Sequence, residues 1–145
     1  MRLLGLDYGS KTVGVAVSDE LGLGATAVEI IRRDKENHLR QTLGRIEALT
    51  REYGVGAVVL GHPVNMDGSV GERALLAEAF RDKLMKRLSI PVYLWDERLT
   101  TVEAEEIMAF HGIRENRYKD YVDMIAAKVI LEDWMSSHNN GKDQI

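Results

Sequence analysis

The chain contains no cysteine. Disulfides, thiolate metal centres and a cysteine nucleophile are thereby excluded, and carboxylates and four histidines remain as candidate metal ligands. Hard cations that prefer oxygen are the metals to expect from such a set. No apolar run approaches the ~20 residues that span a bilayer, and no charged lead with a cleavage site precedes the first strand pattern. A cytoplasmic protein with no membrane contact is expected. A basic excess is missing too. The formal net charge of −4 speaks against a nucleic-acid binder that draws its affinity from counterion release by Lys and Arg. That objection weakens where carboxylates gather around a cation, because the bound charge offsets part of the acid excess.

What is present is ordinary for a water-facing domain: 45% apolar and 29% charged residues, with Pro, Gly and Ser nowhere clustered into a linker. A length of 145 residues suits one core and is short for two. A single domain over residues 1–136 is expected, followed by a loose tail at 137–145.

Residues 2–7 read as a buried strand ending in Asp7, Tyr8-Gly9-Ser10-Lys11 as a turn, and residues 12–18 as a second strand, which together make a hairpin. A third strand is expected over 25–32, after a glycine-containing connection at 21–24. Leu39, Leu43, Ile46, Leu49 and Tyr53 recur at helical spacing and stop at Gly54. The apolar run Ala57-Val58-Val59-Leu60 predicts a fourth strand. Ser69-x-x-Glu72 and Thr100-x-x-Glu103 have the form of capping boxes, predicting helices from 69 to about 88 and from 100 to about 111, with a fifth strand at 91–94 between them. Val122, Ile125, Ala126, Val129 and Ile130 form an apolar stripe on a last helix, with Trp134 one turn further on. Hairpins first and strand-helix alternation later predict an α/β domain: a five-stranded mixed sheet flanked by helices, an order that suits an RNase H-like fold.

Asp7, at a strand end before a glycine turn, either starts the turn or belongs to a site at the sheet edge. Glu97 also follows a strand, within Trp95-Asp96-Glu97-Arg98-Leu99-Thr100-Thr101. If the pleat continues, Asp96 and Glu97 point oppositely, so at most one faces Asp7. Alternatively both solvate a helix start capped by Thr100. Asp123 lies at the margin of the last apolar stripe, before the small pair Ala126-Ala127. There it is either solvated or aimed at the sheet, with Asp120 one turn earlier as a helper. Three carboxylates from two strand ends and a helix match the oxygen ligands of Mg²⁺, and two such ions about 4 Å apart can activate water and stabilise a leaving phosphodiester oxygen. Lys11, Arg98 and the helix start at Thr100 could then hold phosphates. The loop from Gly61 to Ser69, with Asn65 in it, is either a substrate contact or plain connection. His62 reads as structural rather than catalytic. Arg32-Arg33 and the basic residues from Arg114 to Lys119 either touch a nucleic-acid backbone or form a solvated face. Tyr118 and Tyr121 are candidates for base stacking.

Four segments in this order, Asp7-Tyr8-Gly9-Ser10-Lys11 with Gly14, Gly61-His62-Pro63-Val64-Asn65-Met66-Asp67-Gly68, Asp96-Glu97-Arg98-Leu99-Thr100-Thr101 and Asp123-Met124-Ile125-Ala126-Ala127 with Ile130-Leu131, together resemble the YqgF family over nearly the whole chain. The resemblance implies an RNase H-like fold, a cytoplasmic bacterial protein, and a nuclease maturing the 5′ end of the small-subunit (pre-16S) ribosomal RNA precursor. It also implies an acidic site at Asp7, Glu97 and Asp123, the three residues reached from position alone, with Mg²⁺ or Mn²⁺ as cofactor. Thr12 stands where the family often has Arg, and His62 where an apolar residue commonly precedes the proline. Neither departure removes a carboxylate; the first bears on phosphate affinity and substrate choice.

Structured RNA is the expected partner. Branched DNA is the alternative, as for a Holliday-junction resolvase, which would need a homodimer where an RNA processor could act as a monomer. An Asp-x-Gly-x-Lys-x-x-Gly hairpin also resembles the phosphate loop of actin-like ATPases and sugar kinases, but those close two domains around ATP and this length supplies one. A non-cutting RNA or transcription-factor binding module is the remaining rival, and intact carboxylates count against it.

Overall fold

Alternating and continuous apolar runs produce the strands where their periodicity places them. The computed structural model describes residues 1–65, 67–97 and 118–142. In it, β1 (Arg2–Tyr8), β2 (Thr12–Ser18) and β3 (Ala25–Arg32) form an antiparallel meander, followed by α1 (Arg40–Glu52), β4 (Val55–His62), α2 (Glu72–Arg87), β5 (Val92–Asp96) and α3 (Tyr118–Lys142). The sheet order is β3-β2-β1-β4-β5, with β4 parallel to β1 and β5 parallel to β4. The expected mixed five-stranded sheet flanked by helices is what forms. The second capping box and the helix expected from 100 to 111 lie outside the described residues.

The pleat divides β1 between two cores. Leu4, Leu6 and Tyr8 face one core with Ile46 and Leu49 of α1 and Phe80 and Leu84 of α2. Leu3 faces the other, with Ala127, Ile130, Leu131 and Met135 of α3. Gly5 shares that second face, and a Cβ there would lie 2.9 Å from both the Ala127 carbonyl oxygen and the Leu131 Cβ. The missing side chain is what lets α3 lie against the sheet, and it also turns the helix. Ala126, Ala127, Ile130, Leu131 and Met135 are buried, whereas Val122, Ile125 and Val129 of the expected stripe are only half-buried. α3 continues to Lys142, into the segment expected as a loose tail.

Gly54, at φ +62°, ends α1 in the left-handed conformation that glycine tolerates. The start of α2 differs from the capping-box expectation. Gly71 is its N-cap, with no side-chain hydrogen bond, and the helix begins at Glu72. Ser69 is instead engaged upstream: its N–H and Oγ both donate to Asp67 Oδ1, at 2.9 and 2.6 Å, and Asn65 Nδ2 donates to its Oγ at 2.9 Å. The local turn took the hydroxyl from the helix. Among the described residues, no helix is long and apolar enough to cross a membrane.

Candidate active site

Because Leu4, Leu6 and Tyr8 occupy one face of β1, Asp7 falls on the opposite face, two residues beyond Gly5. Glu97 follows β5 directly, its N–H donating to the His62 carbonyl at 3.3 Å. Gly61 opens the space between them. A Cβ there would lie 2.6 Å from Glu97 Oε2 and 2.7 Å from Ile130 Cδ1, so only a bare backbone leaves the Glu97 carboxyl its position. That carboxyl is buried, 7% exposed, and within hydrogen-bonding reach of Asp7. Its neighbour Asp96 is exposed.

Burial is the main cause that pushes the Glu97 carboxyl up from 4.5 to about 9, followed by the Asp7 charge, its hydrogen bond with Asp7, and the Asp96 charge. Arg73 opposes the shift. Two acids this close in a desolvated place cannot both ionise cheaply, so one proton is retained between them at neutral pH.

The pair borders a cavity of about 410 Å³ whose other walls are the Tyr8–Ser10 turn, Pro63, Val64 and Arg73. Arg73, from the first turn of α2, supplies its positive charge. Its Nη1 donates to Glu36 Oε1, its Nη2 to the Tyr8 carbonyl at 3.4 Å, and its guanidinium lies 5.7 Å from the Tyr8 ring centroid. Tyr8 in turn stacks on Phe80 at 4.3 Å, which ties the cavity wall to the core. The sequence reading missed both Arg73 and Tyr8 as site residues. An arginine after a polar loop at a helix start carries no periodic signal, and only its proximity to the acids in three dimensions reveals it.

Of the other residues singled out from sequence, Lys11 and Asn65 are exposed and do not line the cavity, and Asn65 is engaged with Ser69. His62 Nε2 lies 2.9 Å from Glu78 Oε2, a pair directed at α2. Arg98 and Thr100 lie outside the described residues. Asp123, Asp120, Tyr118 and Tyr121 stand in α3, described there by backbone only. Asp123 is one turn ahead of Ala127, whose carbonyl packs on Gly5. Among the described residues, no three acids or histidines form a cluster of metal-ligating geometry.

The family model RuvX, described as Holliday junction resolvase, matches residues 1–137. The chain belongs to the RuvX family. RuvX relatives include a protein of Agathobacter rectalis, 51% identical over 142 residues, covering 98% of this chain and 99% of its own length, and one of Lachnospira eligens, 50% identical over 137 residues, covering 94% and 98%. Both are named "Putative pre-16S rRNA nuclease". Among solved structures, Thermus thermophilus RuvC superposes with a TM-score of 0.53 at 16% identity over 94% of this chain and 97% of its own. The fowlpox virus Holliday junction resolvase gives 0.54 at 16% identity, over 94% and 99%. At such identity the likeness concerns the fold, which is RNase H-like. As a RuvX member the protein is a nuclease acting on phosphodiester bonds, and the sequence resemblance to the YqgF family agrees with this membership.

Proposed function

We propose that this protein is a divalent-metal-dependent nuclease of the cytoplasm that trims the 5′ end of the small-subunit ribosomal RNA precursor, with Asp7 and Glu97 as metal-holding carboxylates and Asp123 as the third. The observation that carries the reading is the Asp7–Glu97 pair, two acids held together at the cost of an ionisation. A fold keeps such an arrangement where a cation relieves it. All-oxygen donors, without a thiol, fit Mg²⁺ or Mn²⁺. Asp123 stands on α3 one turn ahead of Ala127, whose carbonyl packs on Gly5, and in this reading it is the third carboxylate of the set. Bound divalent ions would supply electrostatic stabilisation of the phosphate and a more acidic water.

The chain's own part is positional. Asp7 and Glu97 would hold the cations, and their shared proton would be released to solvent on binding. Arg73, fixed by Glu36 and Tyr8, faces the cavity as a partner for a non-bridging phosphate oxygen. In the hydrolysis a water oxygen bonds to phosphorus as its proton passes to solvent, and the P–O bond to the leaving nucleotide breaks as the departing oxygen takes up a proton from solvent to become a hydroxyl. Lys11, Arg98, Thr100 and Asn65 belong to the surrounding substrate surface in this reading. RNA is preferred to a DNA junction on the names of the relatives.

The test is cleavage of a 5′-extended small-subunit ribosomal RNA and of a four-way DNA junction, with Mn²⁺ or with chelator, by wild type and by Asp7→Asn. Metal-dependent RNA cutting, lost in the variant by at least ~10²-fold, is expected. Junction-only cutting would transfer the reading to a resolvase, and no cutting of either substrate would overturn it.

A further inference from the structure

Of the basic pair Arg32-Arg33, Arg32 lies at the surface and Arg33 is buried, at 9% exposure. We propose that Arg33 is a positioning residue of the nuclease site: without touching substrate, it fixes the partners that aim Arg73 at a phosphate. The inference rests on the nucleic-acid reading above and on the part given there to Arg73.

The Arg33 guanidinium reaches three parts of the cavity's frame at once. Its Nη2 donates to the carbonyl of Gly9, in the turn that lines the carboxylate cavity. Its Nε donates to the Glu36 carbonyl at 3.1 Å. Its Cζ lies 4.8 Å from the centroid of the Tyr8 ring, on which Phe80 also stacks. The Arg33 backbone N–H donates to the Lys11 carbonyl at 2.9 Å, so the turn after Asp7 is held at both Gly9 and Lys11.

Two of these links lead directly to Arg73. Glu36, whose backbone Arg33 holds, accepts from Arg73 Nη1 through its carboxylate. Tyr8, whose ring Arg33 covers, accepts from Arg73 Nη2 through its carbonyl at 3.4 Å, and the Arg73 guanidinium approaches the same ring to 5.7 Å. The Arg73 side chain is 40% exposed. A long side chain so open to water keeps one rotamer against its conformational entropy only where its partners are themselves fixed. Arg33 fixes both of them. A lysine could not do the same, because a single ammonium cannot reach carbonyls in two separate segments while covering a ring. Arg33 Nη1 is buried without a hydrogen-bond partner, a cost that an apolar side chain of similar volume would not carry. That cost fits a residue kept for the placement of others.

The experiment is a double-mutant cycle on cleavage of the 5′-extended small-subunit ribosomal RNA with Mn²⁺, read as separate kcat and KM. The proteins are wild type, Arg33→Lys, Arg73→Ala and the two combined, with thermal melts to verify folding. Arg33→Met, which fills the buried space without a charge, takes the place of Arg33→Lys if the ammonium does not fold there. Arg33→Lys is expected to lower kcat about tenfold and to leave KM within about threefold. In the Arg73→Ala background the same change should cost less than about threefold, because the group it positions is gone. Alongside, the Arg73 side-chain Nε–Hε NMR resonance, identified by its loss in Arg73→Ala, is followed in chelator without RNA and should shift on Arg33→Lys. Equal losses in the two backgrounds would reduce Arg33 to a structural residue, and an unchanged kcat or an unmoved Arg73 resonance would equally overturn the proposal. A wild type that cuts no RNA would remove the nuclease reading by itself, and the resonance alone would then decide whether Arg33 places Arg73.

Discussion

Replacing Glu97 with Gln should make the metal-free protein more stable while destroying its activity. The amide keeps the shape of the protonated carboxyl and removes its ionisation. Between pH 4.5 and about 9 the unfolded chain has released the Glu97 proton and the folded chain still holds it. The native state therefore binds more protons than the unfolded one, and stability falls as pH rises through this window. At about 1.4 kcal/mol per pH unit, the interval from 4.5 to pH 7 weakens the wild type by roughly 3 kcal/mol, a loss the variant does not suffer. Urea unfolding in chelator at pH 4.5, 6, 7 and 8 should show the two proteins converging at the acid end and separating steadily above it. Titrating groups away from the pair are common to both and cancel in the difference. Saturating Mg²⁺ should then raise the wild type and leave the variant almost unmoved, closing the gap. Stability curves that run parallel across this pH range would refute the shared-proton argument.

Arg73→Ala removes the charge that opposes the Glu97 shift, so the acidic limb of the rate profile for RNA cleavage should move to higher pH and the rate fall by ~10²-fold. An unmoved limb would separate Arg73 from the pair. Gly61→Ala places a methyl 2.6 Å from Glu97 Oε2 and 2.7 Å from Ile130 Cδ1, both movable ends. A modest stability loss of ~1 kcal/mol by urea unfolding should therefore accompany a much larger loss of cleavage. Phe80→Ala empties the place beneath Tyr8 and should cost ~3–5 kcal/mol in the same assay, with Mg²⁺-dependent cleavage also reduced because the ring under Arg73 loses its support.

Much of the frame was legible because short-range patterning and tertiary demand coincide. The first three strands, α1 with its glycine stop and the acids at the ends of β1 and β5 need only alternation, helical spacing and turn chemistry. The start of α2 misled because Ser69 has two competing uses for its hydroxyl, and the Asp67 turn wins over the helix cap. The buried side of α3 was hidden for a different reason. Apolar residues surround much of that helix, and the gap at Gly5 on another element selects Ala127 and Leu131 for the contact. Arg73 was invisible as a site residue because its role exists only once Tyr8, Glu36 and Glu97 are brought around it.

β1, β4 and β5 run the same way, so their carboxyl ends open on a common rim, and the turn after β1, the loop after β4 and the chain after β5 all leave from it. The opposite rim carries the Gly22 and Gly54 turns and the amino terminus, whose N–H₃⁺ meets the Glu20 carbonyl at 3.1 Å. The acid pair and the positions open to handling are thereby separated by the length of the strands. Labels, tethers to a surface or a chain break can be introduced at the Gly22 or Gly54 turn for single-molecule work, while loops on the rim that holds Asp7 and Glu97 can be exchanged between relatives over an unchanged acid pair.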